Sequence, residues 1–333
     1  MDLSVIVLFC DKDFQYIPNL LKQLDKKLAC NYELILVDNR EKNKTEISAI
    51  NEFYENHNGF CITPGKNLGQ VVAKKTAFEQ SSGKYVWFFD GDDEPCDVIT
   101  QTLLESLKED LVVFNFGYYR EDDDEQIYIE CSDEDKRKFT GFKDAEYLTN
   151  IGVTCWNKFI YRKILEKIFS YVKTDKVISV NEDVWLMSAA LNKSRVVREI
   201  PLYIYNNRPD RGISNNSITS ITNFKKIIQG YNETMRLFRT EFPKDCKLYC
   251  ENLKRKKDIG YFINRVYNSI KEIRYEEYQL ILEVFKKQEI ISVLNSERKD
   301  FISDDWIPLE DFEEIKKDLY KFIGGKSWHF FKS

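Results

Sequence analysis

Only two histidines occur in the chain, His57 and His329, and they lie far apart. Its eight cysteines (10, 30, 61, 96, 131, 155, 246 and 250) include no Cys-x-x-Cys. Zinc ligation draws on clustered soft ligands, so a zinc site is excluded and the thiols are read as reduced and mostly buried. No apolar run approaches the ~20 residues of a membrane-spanning helix. The opening MDLSVIVLFCDKDF lacks a basic leader and a small-residue cleavage site, so it is read as a first β-strand, and the protein is expected in the cytoplasm. No Gly-x-Gly-x-x-Gly follows that strand, which excludes a dinucleotide dehydrogenase. An excess of basic residues is missing too: the net charge is −5, so no nucleic-acid partner is expected.

What remains is an ordinary globular composition, 43% hydrophobic and 32% charged over 333 residues, enough for one large α/β domain and an appendage. Strand-like runs at LSVIVLF (3 to 9), YELILVD (32 to 38), YVWFFD (85 to 90) and LVVFNFGYY (111 to 119) alternate with helix-period segments at 16 to 28, 47 to 57, 68 to 80 and 97 to 109. Apolar strands linked by helices predict a mainly parallel sheet covered on both faces, with ligands beyond the carboxyl ends of the strands. Further on, YYREDDDEQIYIE reads as two strands joined by a solvated acidic turn, WNKFIYRKILEK and NEDVWLMSAALNKS as helices, and RVVREI and LYIYNN as two strands. Helical periodicity dominates from about 221, so residues 1–220 are expected to form the catalytic domain and 221–333 a helical appendage.

The run KYVWFFDGDDEP drives an aromatic strand inward and ends it on carboxylates. Hard divalent ions prefer oxygen ligands, and Mg²⁺ is commonly held by one or two carboxylates together with phosphates and water. Asp90 and Asp92 can converge on one Mn²⁺ or Mg²⁺ if the chain turns at Gly91, and Pro95 is read as opening the next helix. In PGKNLGQVVAKKTAF, Asn67 and Gly69 mark a helix start suited to an anion, with Lys74 further in. In SVNEDVWLM, Glu182 and Asp183 precede an apolar helical face, and a carboxylate there is a cap or a proton acceptor for an attacking hydroxyl.

Taken in order, SVIVLF, ELILVDN, KNLGQVVAKK, GKYVWFFDGDD, WNKFIYRKIL, NEDVWL and LYIYNNR resemble the family 2 inverting glycosyltransferases of GT-A fold, over roughly residues 1 to 215. The resemblance implies that Asp38 reads the nucleotide base while Phe9 lines its pocket, and that Lys74 and Asp90 contact the base-ribose side. It also implies that Asp92 holds the metal under the diphosphate and that Asp183 is the general base, with Glu182 supporting it or touching the acceptor. The implied partners are a nucleotide-sugar donor, UDP or dTDP in type, and a glycan or lipid-linked glycan acceptor of a surface polysaccharide. The opening VLFCDKDF departs from the family's proline and Asn-containing turn, and YNNRPDRGISNNS has no histidine to ligate the metal. Asn207, Asp210, Ser214 or water are then candidate ligands, and Arg208 and Arg211 a candidate diphosphate clamp.

Two rival readings are a nucleotidyltransferase, disfavoured because FCDKDFQYIP has no glycine-rich loop, and a catalytically silent GT-A-like scaffold, disfavoured by Asp90, Asp92 and Asp183. The helical tail admits packing on the catalytic domain, homo-oligomerisation, or docking on a membrane or acceptor. The basic stretch 247 to 274 reads as a solvated helix face or a docking surface for an anionic membrane or polymer, and the ending GGKSWHFFKS suits shallow membrane attachment.

Overall fold

The computed structural model describes residues 1–40, 48–120, 125–130, 137–138, 154–172, 182–208, 211, 221–241, 255–267, 269, 271–296 and 309–324. The chain divides into two compact units, Met1–Asn215 and Asn216–Ser333.

The first unit is built on a mixed sheet. Its strands are β1 (Leu3–Phe9), β2 (Leu28–Ala29), β3 (Tyr32–Asp38), β4 (Gly59–Ile62), β5 (Tyr85–Asp90), β6 (Glu94–Pro95), β7 (Ile99–Thr100), β8 (Leu111–Arg120), β9 (Glu125–Ile129), β10 (Arg137–Lys138), β11 (Lys158–Tyr161) and β12 (Val196–Asn207). Its helices are α1 (Ile17–Lys27), α2 (Ser48–Tyr54), α3 (Gln70–Gln80), α4 (Gln101–Ser106), α5 (Arg162–Phe169) and α6 (Glu182–Lys193). The sheet runs β10-β12-β8-β11-β5-β1-β3-β4, with β6 on β12, β9 on β8, and β2 and β7 paired separately.

Strand β1 is buried along its whole length because LSVIVLF is apolar on both faces, apart from Ser4. It pairs in parallel with β3 and with β5, and the register sets Phe9 beside Asp38 and Leu8 beside Asp90. Three neighbouring strands therefore finish level. Helix α1 covers one face through Ile17, Leu20, Leu21 and Leu24, the spacing of a single helical stripe. Across the sheet Trp87 is fully buried, and its indole N–H donates to the Trp156 carbonyl at 2.5 Å, which satisfies its only polar atom.

Several local expectations give way to tertiary pairing. Segment 156 to 167, read as one helix, begins as β11, because Phe159 and Ile160 lie antiparallel between β5 and β8, and only Arg162–Phe169 is helical. RVVREI and LYIYNN are one strand, β12, which passes Pro201 with shifts of register between Ile200 and Tyr205. Pro95 opens no helix: Glu94–Pro95 pairs with Tyr205 and Asn206, and the next helix starts at Gln101, where the Thr100 hydroxyl accepts from the Leu103 N–H. Edge strand β4, unforeseen in the sequence, extends the sheet beyond β3.

The second unit holds α7 (Ile221–Glu241), α8 (Arg255–Tyr267), α9 (Lys271–Val284), α10 (Lys287–Asn295) and α11 (Leu309–Ile323), with no strand among its described residues. Tyr231, Phe262 and Phe285 form its aromatic centre, with ring separations of 5.3 and 5.7 Å about Phe262. No helix of the described residues is long and apolar enough to cross a membrane. The ending GGKSWHFFKS from 325 onward, Asp210, Ser214 and the turn 121–124 lie outside the described residues.

Candidate active site

The acidic turn leaves β5 at the level where β1 and β3 end. Gly91 is required there by close approach: a Cβ would lie 2.7 Å from the Phe9 Cβ and 2.9 Å from the Leu8 carbonyl oxygen. The Gly91 N–H donates to that carbonyl at 2.8 Å, which bends Asp92 and Asp93 across the strand tips. The carboxylate of Asp93 accepts from the Tyr205 hydroxyl, from the Asn207 side-chain amide at 3.2 Å and from the Arg208 backbone N–H at 2.6 Å. Tyr205 is itself stacked on Trp156 at 4.4 Å. Sequence reasoning passed over Asp93 and Tyr205, since the third acid of a cluster and one aromatic of a buried strand carry no local signal.

A second group of residues meets this turn. Lys74, the fifth residue of α3, is buried, and its ammonium donates to Asp183 Oδ1 at 2.8 Å. The Cys155 thiol donates to the same oxygen at 3.1 Å. Burial opposes the charge on Lys74, but Asp183, Cys155, Glu182 and Asp90 together hold its pKa well above the ordinary value. The Asp90 carboxyl is pushed up to about 8, chiefly by burial and further by Asp92, Asp183 and Glu182, with Lys74 opposing. Glu182 is raised to about 7 by burial and by Asp183. Asp183 and Glu182 open α6, where free N–H groups favour carboxylates. Asp90, Glu182, Asp183 and Lys74 are thus one electrostatic cluster.

At the end of β3, Asp38 is engaged. Arg40 Nε and Nη2 donate to its two oxygens, each at 2.8 Å, and the Arg40 guanidinium lies over Phe9 and Phe14 at 5.7 and 5.4 Å from their ring centres. The expected base-reading carboxylate therefore reaches its surroundings through an arginine that the sequence analysis did not single out. Asn67 is a linchpin of the adjoining turn: its Oδ1 accepts from the Gly69 N–H at 2.8 Å and from the Asn39 side chain at 3.2 Å, while Asn39 Oδ1 accepts from the Leu68 N–H. Gly69 closes the turn at φ 72°, in the region that favours glycine. Arg211 pairs with Glu94 at 2.9 Å and reaches the Asp92 carbonyl at 3.4 Å; Arg208 lies 3.7 Å from the same glutamate.

Asp90, Asp92 and Asp93 crowd the turn and raise one another's carboxyl pKa. Asp92 is pushed up to about 7 by burial, then by Asp93 and Asp13, with Arg211 pulling the other way. Because Asp93 is committed to Tyr205, Asn207 and Arg208, Asp92 and Asp90 are the carboxylates of this turn that could hold an ion. Among the described residues no group of three or more His, Cys, Asp or Glu side chains is placed to hold a metal ion. Mg²⁺ and Mn²⁺ keep positions for phosphate and water, so one or two carboxylates such as Asp92 and Asp90 could hold either without a third protein ligand.

A helix-covered sheet whose parallel strands end level beneath carboxylates is the GT-A arrangement of glycosyltransferases that use nucleotide-sugar donors. Residues 4–169 match the family model described as Glycosyl transferase family 2, and the chain belongs to that family and is a glycosyltransferase. The sequence matches no curated protein. Among solved structures, Staphylococcus aureus TarS is similar, with 15% identity and a TM-score of 0.53 over 88% of this chain and 55% of that one, so this chain spans little more than half its length. TarS 1-349 in complex with UDP-GlcNAc gives 15% identity and 0.52 over 90% and 93% of the two chains, and its complex with UDP gives 17% and 0.51 over 88% and 89%. At these identities the likeness is one of fold.

Proposed function

We propose that the Met1–Asn215 unit transfers a sugar from a UDP-sugar to a hydroxyl of a glycan or lipid-linked glycan, with inversion at the anomeric carbon, in the synthesis of a cell-surface polysaccharide. The observation that carries this reading is the meeting of Asp183 and Lys74 with Asp90 at the strand ends that also bear Asp92. Asp183 takes the proton of the acceptor hydroxyl as that oxygen bonds to the anomeric carbon. The bond from that carbon to the diphosphate breaks, and its electron pair leaves with the diphosphate. Asp92 and Asp90 would hold a divalent cation, which would supply charge stabilisation for the departing diphosphate. Asp38, through Arg40, and Phe9 face the base, while Asn67 fixes the turn before α3. Arg208 and Arg211 stand beside the acidic turn, and Glu182 supports Asp183 or touches the acceptor.

UDP-GlcNAc is the first donor to test, because the structurally similar TarS 1-349 was crystallised with it. Thermal stabilisation by UDP-, dTDP- and GDP-sugars with and without Mn²⁺ tests the reading. A ligand at ~100 times its dissociation constant adds about 2.7 kcal/mol, so a donor raises the melting temperature and Mn²⁺ raises it further. If no nucleotide-sugar shifts the transition in either condition, the donor assignment falls.

A further inference from the structure

One oxygen of Asp183 carries both of its side-chain contacts. Lys74 Nζ and the Cys155 thiol converge on Oδ1, at 2.8 and 3.1 Å. Among the described residues no hydrogen bond meets Oδ2, and the side chain as a whole is 26% exposed. Cys155 is held to this task by its own turn. Lys158, fully buried, donates to the Thr154 carbonyl and to Asn157 Oδ1, both at 2.6 Å. Asn157 Nδ2 in turn donates to the Phe114 carbonyl at 2.9 Å, fastening the turn to β8. The cysteine is buried and its thiol pKa lies well above the ordinary value, through burial and then Asp183, so it is a proton donor in a hydrogen bond and not a nucleophile.

From this geometry we infer that Cys155 is a positioning residue for the transfer reaction: with Lys74 it pins Oδ1 of Asp183, so that Oδ2 is the atom that takes the acceptor proton. This rests on the reading of Asp183 as the base. In the step, the acceptor O–H proton passes to Oδ2, the acceptor oxygen's electron pair forms the new glycosidic bond, and the bond to the diphosphate breaks with its electrons on the diphosphate oxygen. Two donors on one carboxylate oxygen fix the side-chain torsion more firmly than one, and a rotated carboxylate would present the wrong edge to the hydroxyl.

The contact is testable apart from catalysis. Hydrogen bonding weakens an S–H bond and lowers its stretching frequency, which Raman spectra record in a window free of other protein bands. In the full chain, Cys155→Val should remove one component of the S–H envelope, and Asp183→Ala should move that same component upward. With UDP-GlcNAc and Mn²⁺ as probe, Cys155→Val should lower kcat for donor hydrolysis about tenfold, the loss expected for one hydrogen bond to a charged group, with donor KM unchanged. Cys155→Ser, which keeps a donor, should stay within about threefold of the parent. A thiol band indifferent to Asp183→Ala overturns the inference, and so does a Cys155→Val enzyme with parental kcat. If instead Asp183→Asn turns over like the parent, the base assignment has failed. Should Cys155→Val not fold, Asp183→Ala against the parent gives the same spectral answer.

Discussion

Lys74→Met isolates what the buried cation does. The side chain is 2% exposed and sits 2.8 Å from Asp183, with Asp90 and Glu182 near enough to feel its charge. Methionine keeps most of the volume, so the cavity contribution is small and the change is nearly pure electrostatics. Removing one partner of a buried ion pair typically costs 3–5 kcal/mol, because the other charge stays buried without compensation. For a unit of this size each kcal/mol moves the midpoint by roughly 2–4 °C, so a fall of about 6–20 °C is expected. Thermal unfolding followed by tryptophan fluorescence reads the fall directly and urea titration gives the free energy, since Trp87, Trp156 and Trp185 are all buried in the first unit. Asp183→Asn should cost less, because Lys74 retains Asp90 and Glu182. The double variant should be less destabilised than the sum of the singles, by about 1–3 kcal/mol. A Lys74→Met protein within about 1 kcal/mol of the parent, or strictly additive singles, would refute the account of Lys74 as the charge that holds this cluster together.

Asp92→Ala and Asp183→Asn should each lose at least ~100-fold in turnover at saturating donor, and near-normal turnover of either removes its assigned role. Gly91→Ala must push its methyl into Phe9 and Leu8, so it should destabilise by about 1–3 kcal/mol and weaken donor binding; unchanged calorimetric binding would contradict the close approach. Glu277 in α9 is buried, and among the described residues no hydrogen bond meets either of its oxygens, although Ser269 and Arg274 lie near. Burial raises its pKa from 4.5 to about 7. A raised carboxyl pKa means that the folded state binds more protons, so stability is full below pH 4.5 and is lost as pH rises through about 7. The loss amounts to about 3 kcal/mol, and Glu277→Gln should flatten it in denaturant titrations at pH 5 and pH 8; equal slopes for the two proteins would count against it.

Much of this fold is legible from local pattern, because β1, β3 and β5 are apolar on both faces and each ends in a polar turn at the functional edge. Asp90, Asp92, Glu182 and Asp183 could be singled out because charge following a buried strand, or opening an apolar helix, is a local contrast. That Lys74 would bridge the two groups was not legible: it depends on how α3 and α6 pack on the sheet, with 109 positions between the partners. Cys155 and Arg40 were missed for a similar reason, since each is meaningful only beside a carboxylate elsewhere. The helix expected across 156 to 167 failed because its first residues are apolar enough to fill a slot between two strands, and neighbouring strands decide that, not propensity.

The three donors on Asp93 have a mechanical consequence. Tyr205, Asn207 and the Arg208 amide are the last residues before the chain leaves the first unit's sheet, and all are tethered to the acidic turn. A substitution that removes the Asp93 carboxylate therefore loosens the acidic turn and the end of β12 together.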